Sequence, residues 1–313
     1  MKISIIIPCH KFDEIVNECI ESLYCQKKNH EILIGCDNFY YNSEKDIKII
    51  ISKKKLFANG NRNFVAKYAS GDYFLFIDSD IIVQNNFIYQ LENYIKSNKV
   101  EILNFPTRRE KSKNIFANYK GIKENYQTVF DLQNKKNKKP FFGYAVLFNK
   151  NVFLDLGGWP EGGDLDYIME HEGFQKKILQ SKYLNEVANE IQVDHYHHKN
   201  LYLFKNIIYR TSVWTKKKLR KEVEFDQFKS IKNSIIAMGY FLILTTTIVS
   251  PMLSASFGVL TLLMDIKFLL FLLKRTGLFF LLYFIIHIIF NLCIIFGAVS
   301  GFIEYYFSKL NSK

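Results

Sequence analysis

The sequence predicts an α/β domain with a mostly parallel sheet, continued by membrane helices. Three observations carry this reading. First, KISIIIP (Lys2–Pro8), EILIGC (Glu31–Cys36) and YFLFI (Tyr73–Ile77) are short, nearly unbroken apolar runs bounded by polar or turn residues, the pattern of strands covered on both faces. Second, Ile15, Val16, Ile20 and Leu23 recur at helical spacing between the first two runs, so strands and helices alternate as parallel sheets require. Third, Ile235 to Met264 and Gly277 to Ile303 contain no Asp, Glu, Lys or Arg. Each run is longer than the about 20 residues that span a bilayer.

In chain order, the strand Lys2–Pro8 stops at a proline and is followed by a helix from Asp13 to Tyr24. Glu31–Cys36 and Ile47–Ile51 are further strands. Asn59-Gly60-Asn61 reads as a turn, Arg62–Ala69 as a short helix, and Tyr73–Ile77 as the next strand. Gln133–Pro140 (QNKKNKKP) is a solvated loop ahead of a strand at Phe141–Phe148. Gly157-Gly158-Trp159-Pro160 is a turn, and Tyr167–Leu179 is a helix that opens on Glu170-His171-Glu172.

The 313 residues carry a net charge of +12. Eight lysines and arginines lie between Lys199 and Lys221, with no acidic residue among them. A basic stretch directly ahead of apolar segments matches anionic lipid headgroups better than nucleic acid, and it follows the positive-inside pattern. Leu201, Phe204, Ile207, Ile208 and Trp214, interleaved with Lys205, Arg210 and Lys216–Lys218, read as an amphipathic interfacial helix. MKISIIIPCH is too short and too soon broken by proline for a signal peptide. The expected organisation is a cytoplasmic domain over 1–198, a basic interfacial helix over 199–230, and a multi-pass membrane region over 231–313. Its segments lie at about 235–250, 252–273 and 278–303, with two passes as the alternative if Asp265–Arg275 stays at the surface. The five cysteines show no C-x-x-C pairing and read as reduced thiols.

FLFIDSD (Phe74–Asp80) ends a buried strand on two carboxylates. Asp78 and Asp80 repel one another and resist desolvation unless something cationic joins them. Ligands of parallel sheets bind at the carboxyl ends of the strands, and Pro8, Asp37 and Asp78-Ser79-Asp80 all fall there. Against this stands the plain alternative of a solvated strand end that caps a turn.

SIIIPCHKF, the Asn59-Gly60…Arg62-Asn63 stretch, GDYFLFIDSD and GGWPEGGDLDYIMEHEGFQKKI, in that order, resemble the glycosyltransferases of family 2 with the A-type fold. The resemblance covers roughly residues 2–200. It implies inverting transfer of a sugar from a nucleotide-diphosphate donor. It also implies that Asp78 and Asp80 hold Mn²⁺ or Mg²⁺ against the donor pyrophosphate, which suits hard cations that share oxygen ligands with phosphates. Asp37 matches the position that contacts base or ribose, Pro8 and Cys9 border the base, and Arg62 either faces the donor phosphates or base or forms a surface salt bridge. The family commonly has two acidic residues where this chain has Cys36-Asp37, and Thr-Tyr where it has Cys9-His10. In one register Glu170 and His171 match the family's Glu-Asp, making His171 the base. A shifted register gives that role to Glu172. His195 is the foremost of three late histidines (with His197 and His198) as a third metal ligand, or else part of a polar cluster at the membrane surface. Trp159 is either an acceptor-stacking aromatic or a packing plug.

The leading function is therefore a membrane-bound glycosyltransferase acting on a lipid-linked or polyprenyl-phosphate acceptor. A sugar nucleotidyltransferase is the alternative within enzymes, but PCHKFD lacks the glycines of its phosphate loop. A non-enzymatic membrane protein with a nucleotide-binding domain leaves the two strand-end carboxylates unexplained.

Overall fold

The computed structural model describes residues 1–37, 39, 45–108, 114–127, 141–161, 170–196, 202–221 and 231–311. The expected loop Gln133–Pro140, the start of the acidic helix before Glu170, and His197 and His198 lie outside them. The chain divides into two compact units. One comprises Met1–Glu110 with Thr128–Tyr196, the other Lys111–Gln127 with His197–Lys313.

The first unit is built on strands β1 (Ile3–Cys9), β2 (Glu31–Asp37), β3 (Lys48–Ser52), β4 (Tyr73–Ile77), β5 (Ile81–Val83), β6 (Ile102–Asn104), β7 (Ala145–Asn149), β8 (Asn185–Val187) and β9 (Val193–His195). Seven of them form one sheet in the order β3-β2-β1-β4-β7-β6-β8. The pairs β1–β2, β2–β3, β1–β4 and β6–β8 are parallel, while β7 runs antiparallel to β4 and β6. The small β5–β9 ladder is separate.

The unbroken apolar runs are explained by what covers each face. Ile3, Ile5 and Ile7 of β1 pack with Val16, Cys19, Ile20 and Leu23 of α1 (Glu14–Tyr24) and with Phe87, Ile88 and Leu91 of α3 (Phe87–Ser97). Ile6 of β1 faces the other way, into a cluster with Val65 of α2 (Phe57–Ala66), Phe74, Phe76, Phe148, Trp159 and Phe174. Asp13 caps α1 by accepting from the Val16 amide at 3.2 Å, the role its short carboxylate suits. Asn59-Gly60-Asn61 is not a turn. The helix starts at Phe57 and runs through all three.

The second unit holds α4 (Ile115–Asn125), α7 (Tyr202–Leu219), α8 (Ile231–Val249), α9 (Pro251–Thr276) and α10 (Phe280–Asn311). The elements α5 (Lys150–Asp155) and α6 (Glu170–Gln180) belong to the first. Two stretches, Lys232–Val249 and Pro251–Leu310, are long and apolar enough to cross a membrane. The second is two helices, since Gly277–Phe279 forms a 3-10 turn between α9 and α10. Ser250 caps α9 through the Leu253 amide at 3.3 Å, with Pro251 in the first turn, where a missing N–H is harmless.

The basic helix α7 lies along α10. A Cβ on Gly297 would meet Ile208 O at 2.5 Å, and one on Gly301 would meet Ser212 O at 2.3 Å. Two glycines four residues apart thus bring the backbones into contact, as small-xxx-small pairs do between apolar helices. Four elements converge on Asp265, which is 4 % exposed. It accepts from Tyr240 Oη at 3.1 Å and His287 Nε2 at 2.6 Å, and His287 Nδ1 takes the hydroxyl of Tyr119 at 2.6 Å. A carboxylate among apolar helices needs this many donors.

The amino edge of the sheet in the first unit is fixed by one buried glutamate. Glu31 accepts from Ser4 Oγ at 2.6 Å, Ser70 N at 2.7 Å, Ser70 Oγ at 2.8 Å and Lys48 Nζ at 2.7 Å. These partners outweigh its burial and hold its carboxyl far below the usual range. A carboxyl lowered in the folded state contributes stability that is present above its unfolded value and lost as pH falls toward the folded one. Glu31→Gln is therefore expected to destabilise the protein by about 1–3 kcal/mol at pH 7. The gap to wild type should shrink as pH drops below about 4, where unfolded glutamate takes up its proton. Thermal unfolding in detergent from pH 7 to pH 3 measures it, and a gap that stays constant would refute this account.

Candidate active site

The parallel strands β1, β2 and β4 end together, at Cys9, Asp37 and Ile77. β2 lies on one side of β1 and β4 on the other, so this edge is the switch point where open α/β sheets bind ligands. Asp78-Ser79-Asp80 leaves β4 there. The Ile81 amide returns to Asp78 O at 3.0 Å, closing a tight turn, and the Asp78 amide donates to Tyr144 O at 2.9 Å.

The two carboxylates differ in what they touch. Asp78 accepts from Arg62 Nη2 in a very short ion pair. Arg62 is 1 % exposed. Its other nitrogen, Nη1, donates to Asn59 Oδ1 at 2.6 Å, and its guanidinium stacks 4.5 Å from the Trp159 ring centre. Burial pushes the Asp78 carboxyl upward, Arg62 pulls it back, and the neighbouring Asp80 adds to the rise. Asp80 stands further out, with a side chain 41 % exposed, and its Oδ2 lies 3.4 Å from His195 Nε2. The His195 ring packs against Tyr144, with centres 5.2 Å apart.

Asp37 is held on two sides. Its Oδ1 accepts from Asn61 Nδ2 at 2.9 Å, and its Oδ2 lies 3.3 Å from His10 Nδ1. Asn61 reaches it because β2 has no side chain at Gly35. A Cβ there would meet Asn61 Oδ1 at 1.8 Å and Val65 Cγ2 at 2.4 Å. Pro8 is opposite Gly35 in the β1–β2 ladder. The Cys9 thiol is buried, donates to Lys11 O at 3.0 Å, and is pushed up to about 12 by that burial, with Cys36 adding. It is thus a packing group and not a nucleophile.

The Gly-Gly-Trp-Pro turn docks on α2. Gly157 and Gly158 adopt φ of +71° and +72°, which side chains disfavour. The turn presents the Trp159 amide to Asn63 Oδ1 at 2.9 Å, and Asn63 Nδ2 donates to Trp159 O at 2.8 Å. The indole of Trp159 is 1 % exposed among Phe76, Phe141, Phe148 and Phe174. Its place is beneath Arg62, not at an open surface. Glu170, His171 and Glu172 form the first turn of α6, and their side chains lie outside the described residues.

The structure thus brings Arg62, Asp78, Asp80 and His195 together, and sets Asp37 at the end of the neighbouring strand. Sequence reading did not single out Asn59, Asn61, Asn63, His10 or Tyr144 as site residues. The signal available for the first three was an arginine inside three alternating asparagines, NGNRN. Among the described residues no three His, Cys, Asp or Glu side chains form a ready metal-binding group. Asp80 and His195 stand 3.4 Å apart, with Asp78 beside them. This fits a Mn²⁺ or Mg²⁺ that takes few protein ligands and completes its shell from substrate phosphates.

Sheet and site together define an α/β domain whose carboxylates gather at the switch point. Residues 4–157 match the model of glycosyl transferase family 2, so this stretch is a glycosyltransferase family 2 domain. It is 29 % identical over 119 residues to the poly(ribitol-phosphate) beta-glucosyltransferase of Bacillus spizizenii, a match covering 33 % of this chain and 18 % of that protein. Among solved structures it is similar to the mannosyltransferase PcManGT from Pyrobaculum calidifontis in complex with GDP-Man and Mn²⁺. That likeness has a TM-score of 0.54 and 12 % identity, covering 96 % of this chain and 86 % of that one. TarS 1–349 of S. aureus in complex with UDP-GlcNAc aligns with a TM-score of 0.48 at 15 % identity, over 72 % of this chain and 68 % of that one. The first of these likenesses supports the A-type fold.

Arg62→Met leaves Asp78 without its cation. Breaking a fully buried ion pair costs roughly 3–5 kcal/mol. The Asp78 side chain keeps 25 % exposure, so the expected loss is nearer ~2–3 kcal/mol. Arg62→Met with Asp78→Asn should recover part of it, because the stranded charge is gone. Unfolding midpoints in detergent test this, and a double variant less stable than Arg62→Met would contradict it.

Proposed function

We propose that this chain is a membrane-bound, inverting glycosyltransferase. It moves a sugar from a nucleotide-diphosphate donor to a lipid-linked or polyprenyl-phosphate acceptor with the help of Mn²⁺ or Mg²⁺. The observation that carries the reading is the division of labour at the end of β4. Asp78 is bound by Arg62, whereas Asp80 reaches outward beside His195.

In this mechanism the donor lies across the carboxyl edge of the sheet. The backbone at Pro8 and Cys9 borders the base, and Asp37, fixed by Asn61, meets the base or ribose. Arg62 serves the donor site by keeping Asp78 charged and oriented. Asp80 and His195, with Asp78 beside them, would hold the ion, which would offset the charge that grows on the departing diphosphate. The acceptor hydroxyl loses its proton to a base in the first turn of α6. Glu170 and His171 face the site in one register, Glu172 in the other. Positions two apart on a helix point apart, so Glu170 and Glu172 do not share this task. A phosphate acceptor would need no base, being already ionised. The two apolar stretches and the basic α7 support an anchor that keeps the catalytic domain on the cytoplasmic face, where lipid acceptors are within reach.

The test is to incubate the purified full chain with a panel of UDP- and GDP-sugars and Mn²⁺. Slow release of nucleoside diphosphate, abolished by a chelator and restored by Mn²⁺ or Mg²⁺, is expected; release of pyrophosphate would indicate nucleotidyl transfer instead. Asp80→Asn should lower turnover by roughly 10²–10³-fold with the fold intact, the equivalent of several kcal/mol of charge stabilisation. Full activity in that variant would remove the metal from the mechanism.

The base is separable from the metal. His171→Ala is expected to cost roughly 10²–10⁴-fold in turnover on a hydroxyl acceptor, with donor affinity near wild type. Wild-type turnover should fall as pH drops through about 6–7, where an unperturbed imidazole is protonated. Retained turnover in His171→Ala, with loss in Glu170→Gln or Glu172→Gln, would move the role to a carboxylate. Tolerance of all three would point to a phosphate acceptor.

A further inference from the structure

His195 is carried by a strand only three residues long. β9 pairs with β5, His195 opposite Ile81 and Val193 opposite Val83. A two-stranded ladder of this size is marginal by itself. On its other side the segment Pro106–Arg108 runs beside β9. The Val193 amide donates to Pro106 O at 3.1 Å, the Arg108 amide donates to Val193 O at 2.9 Å, and Thr107 bridges Val193.

The contacts with Pro106–Arg108 end at Val193, two residues before the imidazole, while on the β5 side the Tyr196 amide donates to Asp80 O at 2.8 Å. Beyond Val193 the side chain of Arg108 takes over. Its Nη2 donates to Asp194 Oδ2 at 2.5 Å, and its Nε donates to Asp194 Oδ1 in a still shorter contact. This is a two-pronged guanidinium–carboxylate pair, the strongest kind of side-chain contact for fixing both position and angle. Both partners are largely buried, with side chains 32 % and 19 % exposed. Asp194 precedes His195 directly and lies on the opposite face of the strand. A shift of β9 that carried His195 away from Asp80 would therefore pull this fork apart.

We infer that Arg108, acting through Asp194, is a positioning residue that holds β9 in the register at which His195 meets Asp80, and so sets the affinity of the cation site. The inference rests on the reading of His195 as a metal ligand. Arg108 touches neither the ion nor the donor in this role. Groups that orient metal ligands without binding the metal are typically worth 10–100-fold in metal affinity. A lysine in place of Arg108 keeps the charge but has no fork, and is not equivalent at a two-pronged site.

The experiment titrates the full chain in detergent with Mn²⁺ alone, following the free-ion signal by electron paramagnetic resonance. His195→Ala is expected to weaken Mn²⁺ binding, and Arg108→Ala to weaken it by roughly 10-fold, with Arg108→Lys in between. The deciding measurement is Arg108→Ala in the His195→Ala background. If Arg108 acts through His195, the double variant binds Mn²⁺ no more weakly than His195→Ala alone. An equal further loss there would mean that Arg108 merely supports the fold, and would overturn the inference. So would Mn²⁺ affinity unchanged by Arg108→Ala while His195→Ala weakens it. If His195→Ala itself binds Mn²⁺ as wild type does, the metal role of His195 is what has failed, and the inference falls with it. Should Arg108→Ala not fold, Arg108→Lys alone and with His195→Ala gives the same comparison.

Discussion

The catalytic unit is organised around one desolvated cation. Arg62 lies on α2, is almost wholly buried, and needs partners on every side because a guanidinium out of water is costly. Asp78 supplies the opposite charge, Asn59 an acceptor and Trp159 a π-face. Asn59 lies on α2 itself, but Asp78 and Trp159 come from distant parts of the chain, so satisfying Arg62 joins the end of β4, the helix α2 and the Gly-Gly-Trp turn. The approach is possible only where side chains are missing. Gly35 admits Asn61 to β2, and a Cβ on Gly158 would meet Asn63 Oδ1 at 2.7 Å. The same helix that carries Arg62 thereby also fixes Asp37 through Asn61.

This explains which parts of the fold were readable from sequence. Lys2–Pro8, Glu31–Cys36 and Tyr73–Ile77 were visible as strands because burial on both faces leaves an unbroken apolar run. Asn59-Gly60-Asn61 looked like a turn because asparagine and glycine disfavour helices locally. In the structure those side chains are employed in α2, Asn59 on Arg62 and Asn61 on Asp37, and tertiary contacts override the propensity. The three-residue strands β5, β6, β8 and β9 are too short for any period to show. That β7 runs antiparallel inside an otherwise parallel sheet has no local signature. The pairing of Arg108 with Asp194 spans 86 positions in sequence, and neither residue is unusual in its own neighbourhood.

The helical unit was legible for the opposite reason. Its apolar stretches are long and charge is sparse in them, absent from Ile235 to Met264 and from Gly277 to Ile303, so length and composition suffice. What composition could not give is the packing. α7 was expected to lie in an interface as a basic amphipathic helix, and in the structure its backbone touches Gly297 and Gly301 of α10. Lys216 reaches Glu304 Oε2 at 2.5 Å, so part of the basic charge is matched within the unit. Asp265 stood out in sequence only as an interruption. Its meaning depends on His287, Tyr240 and Tyr119 arriving from three other helices.

A buried strand that ends in Asp-Ser-Asp therefore contains two different carboxylates. In a parallel sheet the residue just after the strand is still shielded by its neighbours, and a second carboxylate two positions on has cleared them. Asp78 is in the first situation and is paired with a protein cation. Asp80 is in the second, where its side chain is 41 % exposed and water shares the burden. Like charges this close raise one another's proton affinity, so two equivalent carboxylates would compete for a single proton. Giving one of them a permanent arginine breaks that symmetry. Arg62 offsets the charge of Asp78, and Asp80 stands beside His195 at the rim. The spacing of one residue is what separates them, since it turns the chain from the strand into the Asp78–Ile81 turn within a single step.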